Sequence, residues 1–423
     1  MITKVFNTVF SRGVVVALNL CIALLYTNIG AHLYGQVVFL NLIIYFSALP
    51  CGVLTGNSTV YYAGKVKAKY LLSLAFAIVL GSSLVVLLLL FLLQANINVL
   101  RSFDDEVLFA IPVLVFLSAA LAFFQNYNLG VGFVKSYNFF TVTLILIQSL
   151  SAYFYSKIWQ DVTIHILSLI TAYGFSVFIA LIHFVKHHFK RGGNNNSFHE
   201  ILRFGFRAQL NQVLQISYER GNYFILLKFL SMAELGIFSL GLQFVELVKN
   251  LANSISTVLL SKAVSVRSNN EYKATIFFMK FTMTLTIVVL CFLMMVPSSI
   301  WNWALGDDFE GLRWILLSLF VYSVSETGTI FIRTFYIGTG NQKAITHSIL
   351  IALAGVFTLS ILLVNYFGLV GAGISSSVVS FVVLVYLLKR FLESNSSSMG
   401  CLRISKKELH LIRKVTKSYF VND

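Results

Sequence analysis

Tyr70–Leu93 reads YLLSLAFAIVLGSSLVVLLLLFLL, 24 residues without one charged side chain. As an α-helix rising 1.5 Å per residue, such a segment is about 36 Å long, enough to cross the ~30 Å hydrocarbon core of a bilayer. A helix that is apolar on every face is a membrane span or the core of a very large protein. The rest of the chain chooses the membrane. Its 423 residues are 58% hydrophobic and only 11% charged, and the mean hydropathy is +0.84. A soluble domain carries roughly 25% charged residues to cover its wet surface. The alternating ~10-residue segments of an outer-membrane barrel are absent.

Working outward from this segment, the sequence predicts twelve apolar spans: 13–33, 37–62, 70–93, 107–124, 134–155, 163–184, 208–229, 235–260, 274–297, 314–336, 344–365 and 368–388. Lys and Arg set their direction, because basic loops stay on the cytoplasmic side. Of 31 basic residues, 24 fall on one set of alternate connections, which includes the tail from Lys389. Only Arg101, Lys157, Lys228 and Arg313 fall on the other set. Both termini are therefore expected in the cytoplasm.

The polar segment after span six (Gly192-Gly193-Asn194-Asn195-Asn196 among basic residues) divides the chain. The expected organisation is a six-helix bundle over 1–185, a cytoplasmic linker over 186–203, a second six-helix bundle over 204–390 and a basic tail over 391–423. Such duplicated transporters hold their site between the repeats. In the tail, Leu402, Ile404, Leu409, Ile412 and Val415 are spaced among basic residues. This pattern suits an amphipathic helix on an anionic leaflet or a disordered basic tail, and the sequence leaves both open.

The net charge of +15 would point to nucleic acid in a soluble protein. Here it sits in short loops and a tail, so it reads as topology and no nucleic-acid partner is expected. Cys21, Cys51, Cys291 and Cys401 form no paired motif, and His32, His165, His183 and His347 are isolated. Neither a metal site nor a cofactor is expected. The first apolar run lacks a small-residue cleavage site and reads as a full span rather than a cleaved signal. Gly338-Thr339-Gly340-Asn341-Gln342-Lys343 ends in Lys but follows a membrane helix, so it is not read as a phosphate loop.

The chemistry lies in polar residues within the spans. Span seven carries Gln209, Asn211, Gln212, Gln215, Ser217, Glu219, Arg220 and Asn222. A central charge costs roughly 2.5–3.5 kcal/mol on an insertion scale, against gains of ~0.3–0.6 per aliphatic residue, so this helix cannot face lipid all round. Gln212, Gln215, Glu219 and Asn222 form one stripe. Span eight repeats the pattern with Gln243, Glu246, Asn250, Asn253 and Thr257, flanked by Lys249. Span ten carries Tyr322, Glu326, Thr329 and Arg333 on one face, and span one places Arg12 with Asn19. Such groups serve either as inter-helix hydrogen bonds or as the lining of a hydrated cavity. Stripes several turns long favour the cavity. Arg220, Glu246 and Lys249 are expected to cluster, with one net positive charge.

Three stretches resemble one family. Asn28-Ile29-Gly30-Ala31-His32-Leu33-Tyr34-Gly35-Gln36 is similar to an "LG-x-x-x-YG" turn after helix one. Tyr218-Glu219-Arg220-Gly221-Asn222, followed by Gly236-Ile237-Phe238-Ser239-Leu240, is similar to an "R-x-D … GIYS-x-A" stretch. Trp303-Ala304-Leu305-Gly306-Asp307-Asp308-Phe309, Gly338–Lys343 and Asn365–Gly373 resemble an "LFG-x-x-F … GK … GAA" ending. In order and spacing they resemble the Wzx-like polysaccharide flippases of the multidrug/oligosaccharidyl-lipid/polysaccharide exporter superfamily. Asn222 departs from the family's Asp, so Glu219, Glu246 or Glu326 would take over any ion-coupling role.

The resemblance implies a V-shaped pair of bundles in a bacterial cytoplasmic membrane. It also implies transport of undecaprenyl-pyrophosphate-linked oligosaccharide repeat units, for O-antigen, capsule or exopolysaccharide, to the outer leaflet by alternating access. Arg220, Lys249, Arg12, Asn222, Asn250, Asn253 and Gln215 would bind the substrate. A proton or Na⁺ would couple transport, and membrane lipids, a polysaccharide polymerase and chain-length machinery are the implied partners. No catalytic residue and no ATP-binding element is expected. The alternative is a small-molecule exporter of the multidrug and toxin extrusion type. A membrane enzyme such as a polymerase would need a large outer loop. The longest outer connection, 94–106, with Arg101, Asp104, Asp105 and Glu106, reads as a solvated cap.

Overall fold

The computed structural model describes residues 2–94, 103–189, 198–265, 270–339 and 342–394. The tail from 395, residues 190–197 of the 186–203 segment and 95–102 lie outside the described residues, as does the side chain of Arg12. Among the described residues the chain is helical, with only an isolated bridge between Ala63 and Val66. Among the described residues, seven helices are long and apolar enough to cross a membrane, or eight if a pair bent by 51° counts as one span. The protein is a multi-pass membrane protein. The described residues pack as two compact units.

The first unit contains residues 1–223, with 231–236 and 302–309. It is built from α1 (Ile2–Thr27), α2 (Ala31–Ala48), the short α3 (Gly52–Thr55) and α4 (Asn57–Tyr62), α5 (Ala68–Gln94), α6 (Asp105–Gly130), α7 (Val134–Tyr155), α8 (Thr163–His187) and most of α9 (Phe198–Phe229). An aromatic core of Tyr62, Phe123, Phe124, Tyr127, Phe140 and Phe184 packs with Leu54, Val66, Leu71 and Ile201. His165 ties three helices together. Its Nδ1 lies 3.1 Å from the Tyr26 hydroxyl of α1, and its Nε2 lies 3.0 Å from Asn41 Oδ1 of α2.

The sequence reads 37–62 as one span, but the structure breaks it into α2, α3 and α4. Pro50 has no N–H to give, and Gly56 sits at φ −94°, ψ −134°, outside the helical region. A break inside a membrane protein is tolerated where the freed backbone groups find other partners. Here side chains supply them. Gln209 of α9 donates to the Leu49 carbonyl at 2.8 Å, and Asn126 of α6 donates to the Thr55 carbonyl at 2.7 Å. Thr55 donates to the Cys51 carbonyl at 3.0 Å, and Ser58 and Thr59 donate to the carbonyls of Val53 and Leu54.

The second unit contains, among the described residues, 224–230, 237–265, 270–301, 310–339 and 342–394. Its helices are the main part of α10 (Met232–Ser265), α11 (Asn270–Met295), part of α12 (Ser298–Leu305), α13 (Leu312–Ser318), α14 (Phe320–Thr339) and α15 (Gln342–Ser394). α15 covers two expected spans and breaks at Gly368, whose φ of 55° and ψ of −134° end one helix and start the next. Ser360 and Ser375 face each other across that break at 2.6 Å. α14 packs between α11 and α15. Thr286 meets Thr327 at 3.2 Å, and Gly328 leaves room for Met283 and Leu384. The bend between α13 and α14 is bridged by Ser377, which donates to the Ser318 carbonyl and accepts from the Tyr322 N–H at 3.1 Å.

Candidate functional site

α9 carries the first polar stripe, and its members divide by role. Gln209 is buried against the broken span, so its amide is part of the fold. Gln215 is exposed and donates to Glu219 Oε1 at 3.2 Å, one turn along the same helix. Arg220 is half-buried. Its Nη1 donates to the Tyr223 hydroxyl at 3.0 Å, and its guanidinium carbon lies 5.5 Å from the centre of that ring. Tyr223 is buried, so it is a fixed acceptor for the guanidinium. Asn222 is buried beside it. Sequence reasoning overlooked Tyr223, although its i, i+3 spacing from Arg220 was legible.

Glu246, Lys249, Asn250 and Asn253 lie on α10 at i, i+3, i+4 and i+7, which is one helical face. All four are half-buried, and each is engaged in a polar interaction. Arg220 belongs to the first unit, and Glu246 and Lys249 belong to the second. Arg12 stands on α1.

Glu326 is buried in α14, and its Oε2 lies 3.9 Å from Nη1 of Arg333, two turns on. Arg333, expected on one face of span ten with Glu326, is buried within α14, where the acid gives its guanidinium a partner inside the unit. Nε and Nη2 of Arg333 and the hydroxyl of Thr329 have no hydrogen-bond partner among the described residues. Charge and spare donors thus line one column of this helix. Among the described residues no group of three or more His, Cys, Asp or Glu is placed to hold a metal ion.

Parts of three stretches that carry the family resemblance, around Gly30–Gly35, Gly236 and Asp308, meet within the first unit. Gly30, at φ 144°, turns the chain into α2, and the first N–H of that helix, Ala31, donates to Asp308 Oδ2 at 3.2 Å. One turn on, a Cβ on Gly35 would overlap the Met232 carbonyl oxygen, and a Cβ on Gly236 would meet the Ala31 carbonyl oxygen and Gly35 N. The residues 30–35, 232–236 and 308 therefore form one contact, though they lie far apart in the sequence.

The profile of the polysaccharide biosynthesis protein family matches residues 33–314, which takes in most of α2, all of α3 through α12 and the Asp308 turn. The chain belongs to this family. No curated protein matches its sequence. Among solved structures, the chain is similar to the lipid II flippase MurJ in an inward closed conformation, at 16% identity and a TM-score of 0.69, over 100% of this chain and 93% of that one. It is also similar to an inward-facing multidrug resistance transporter of the MATE family within the MOP superfamily, at 16% identity and a TM-score of 0.67, over 90% and 94%. An outward-facing MATE transporter matches at 13% identity and a TM-score of 0.62, over 93% and 95%. The family member therefore has the fold of this transporter superfamily. These fold neighbours are a flippase and transporters by name.

Proposed function

We propose that this protein is a flippase that moves undecaprenyl-pyrophosphate-linked oligosaccharide repeat units across a bacterial cytoplasmic membrane by alternating access. The observation that carries the reading is Arg220, a cation in the middle of the seventh expected span, oriented by Tyr223. A mid-membrane guanidinium is costly unless it meets an internal partner, water or an anionic ligand. Its planar fork suits a pyrophosphate, which it can hold through two parallel hydrogen bonds. Lys249 adds charge, Asn222, Asn250, Asn253 and Gln215 add neutral hydrogen-bonding groups for sugar hydroxyls, and Arg12 belongs to the same set. The prenyl chain stays in lipid throughout.

In this reading the chain crosses the membrane twelve times, with both termini in the cytoplasm and a six-helix bundle on each side of the 186–203 linker. Glu219, Glu246 and Glu326 are the sites at which a proton or Na⁺ would couple transport. A polysaccharide polymerase and chain-length machinery would take the product on the outer side. The alternative, a small-molecule exporter, draws on the MATE fold neighbours. The two readings separate in a deletion strain. The flippase reading expects lipid-linked sugar to accumulate on the inner leaflet with unchanged drug sensitivity. Unchanged lipid-linked sugar with raised drug sensitivity supports the exporter.

A further inference from the structure

The turn that joins α4 to α5 exposes Lys65, Lys67 and Lys69 and buries Val66 and Ala68 between them. Gly64, at φ +80°, makes the turn. Lys65 Nζ lies 3.3 Å from the centre of the Tyr61 ring. Tyr61 in turn stacks on Phe204 of α9, with ring centres 4.6 Å apart and planes 24° apart. Lys69 Nζ lies 4.4 Å from the ring of Phe189. Tyr62 locks the two segments together, packing edge-on against Phe204 and donating to the Glu200 carbonyl at 3.5 Å. Arg207 is exposed one turn beyond Phe204 on the same side of α9, and Arg203 is exposed beside it. All of these residues belong to the first unit.

A ring holds an ammonium in place without neutralising it. A carboxylate in the same position would hold Lys65 and cancel its charge. The lysine is therefore both fixed and free to meet an anion. The rings of Tyr61 and Phe204 are partly open to solvent and offer flat apolar faces beside the charges. Fixed cations next to exposed rings match a phosphate that carries a sugar, whose C–H faces pack on aromatic rings while its phosphate takes the charge.

We propose that Tyr61, Lys65, Phe204 and Arg207 form a docking surface for the pyrophosphate-sugar head of a membrane-anchored glycolipid, on the side where that lipid is made. This rests on the flippase reading and on the orientation proposed with it. The surface is the first contact, outside the spans, and it hands the head group on to the polar helices.

The test is binding by the full chain in lipid nanodiscs, with undecaprenyl pyrophosphate as one probe and phosphatidylglycerol as the other. Lys65→Gln combined with Arg207→Gln should weaken undecaprenyl pyrophosphate by about tenfold or more, the usual cost of losing a charge-assisted hydrogen bond. Phosphatidylglycerol should compete poorly. Tyr61→Leu, which keeps the charge but removes the ring that holds it, should weaken binding less. Wild-type affinity in the double variant, or phosphatidylglycerol competing as well as the pyrophosphate, overturns the docking surface and leaves the flippase reading standing. A wild-type chain that binds no undecaprenyl pyrophosphate overturns both.

Discussion

Gly35 and Gly236 pack main chain against main chain, so that a side chain on either would strike the backbone of the other's helix. With Ala31 and Met232 one turn before them, they form a close crossing of the start of α2 with the start of α10. Small residues at four-residue spacing permit such crossings in membranes, where association depends on close packing rather than on the hydrophobic effect. Gly35→Val and Gly236→Val should each lower the thermal midpoint of the purified protein sharply, since overpacking a tight contact costs about 1–3 kcal/mol or more. Gly174→Ala is the control. Nothing lies within 4 Å of the new methyl group, and its midpoint should stay level or rise.

Asp308 caps α2 from a distant loop, because Gly30 has no side chain with which to do so. Asp308→Ala should cost about 0.5–2 kcal/mol, the usual value of an N-terminal helix cap. Asp308→Asn, which keeps an acceptor oxygen, should cost less. Thermal unfolding of the two variants, compared in the same detergent, checks the order. Equal loss in both would mean that the carboxylate charge, rather than the bond to Ala31, is what matters.

Much of this architecture was legible. The spans expected at 70–93, 134–155 and 163–184 correspond to α5, α7 and α8, because each is a single uninterrupted apolar run. The break in the second span was not legible from hydropathy. Its carbonyls are rescued by Gln209 and Asn126, which are remote in sequence. Gln209 stood only as one of the polar residues of span seven, and its role in the fold was hidden because its partner Leu49 is 160 residues away. The Glu326–Arg333 spacing was visible on one face of span ten, and the structure turns it into a buried ion pair.

The Glu326–Arg333 pair yields a direct stability prediction. Removing one member of a buried ion pair leaves the other charge uncompensated and costs about 3–5 kcal/mol. Arg333→Gln and Glu326→Gln should each reduce the amount of folded protein in the membrane. The double variant should recover much of that loss, because no charge is then left buried. A double variant that is as poor as the sum of the two singles would show that the residues act independently.

Tyr223 fixes the guanidinium of Arg220 through one hydrogen bond. Tyr223→Phe keeps the ring and its packing and removes only the acceptor. Export of glycan per molecule should fall by about tenfold or more, with abundance close to wild type, because one hydrogen bond to a charged group is worth about 1.5–3 kcal/mol. Unchanged export would mean that the orientation of Arg220 does not matter.

The central claim is that Arg220 receives the anionic head of the substrate. The direct measurement is export of the surface glycan together with membrane abundance of the protein, in the same cells, for Arg220→Gln and Arg220→Lys. The account predicts that Arg220→Gln lowers export per molecule by at least about tenfold, since truncating one partner of a buried charge-assisted contact costs about 2–5 kcal/mol. Arg220→Lys should restore export only in part, because a point charge lacks the two-pronged contact. Lowered abundance with normal export per molecule would contradict the claim and make Arg220 a structural residue of α9.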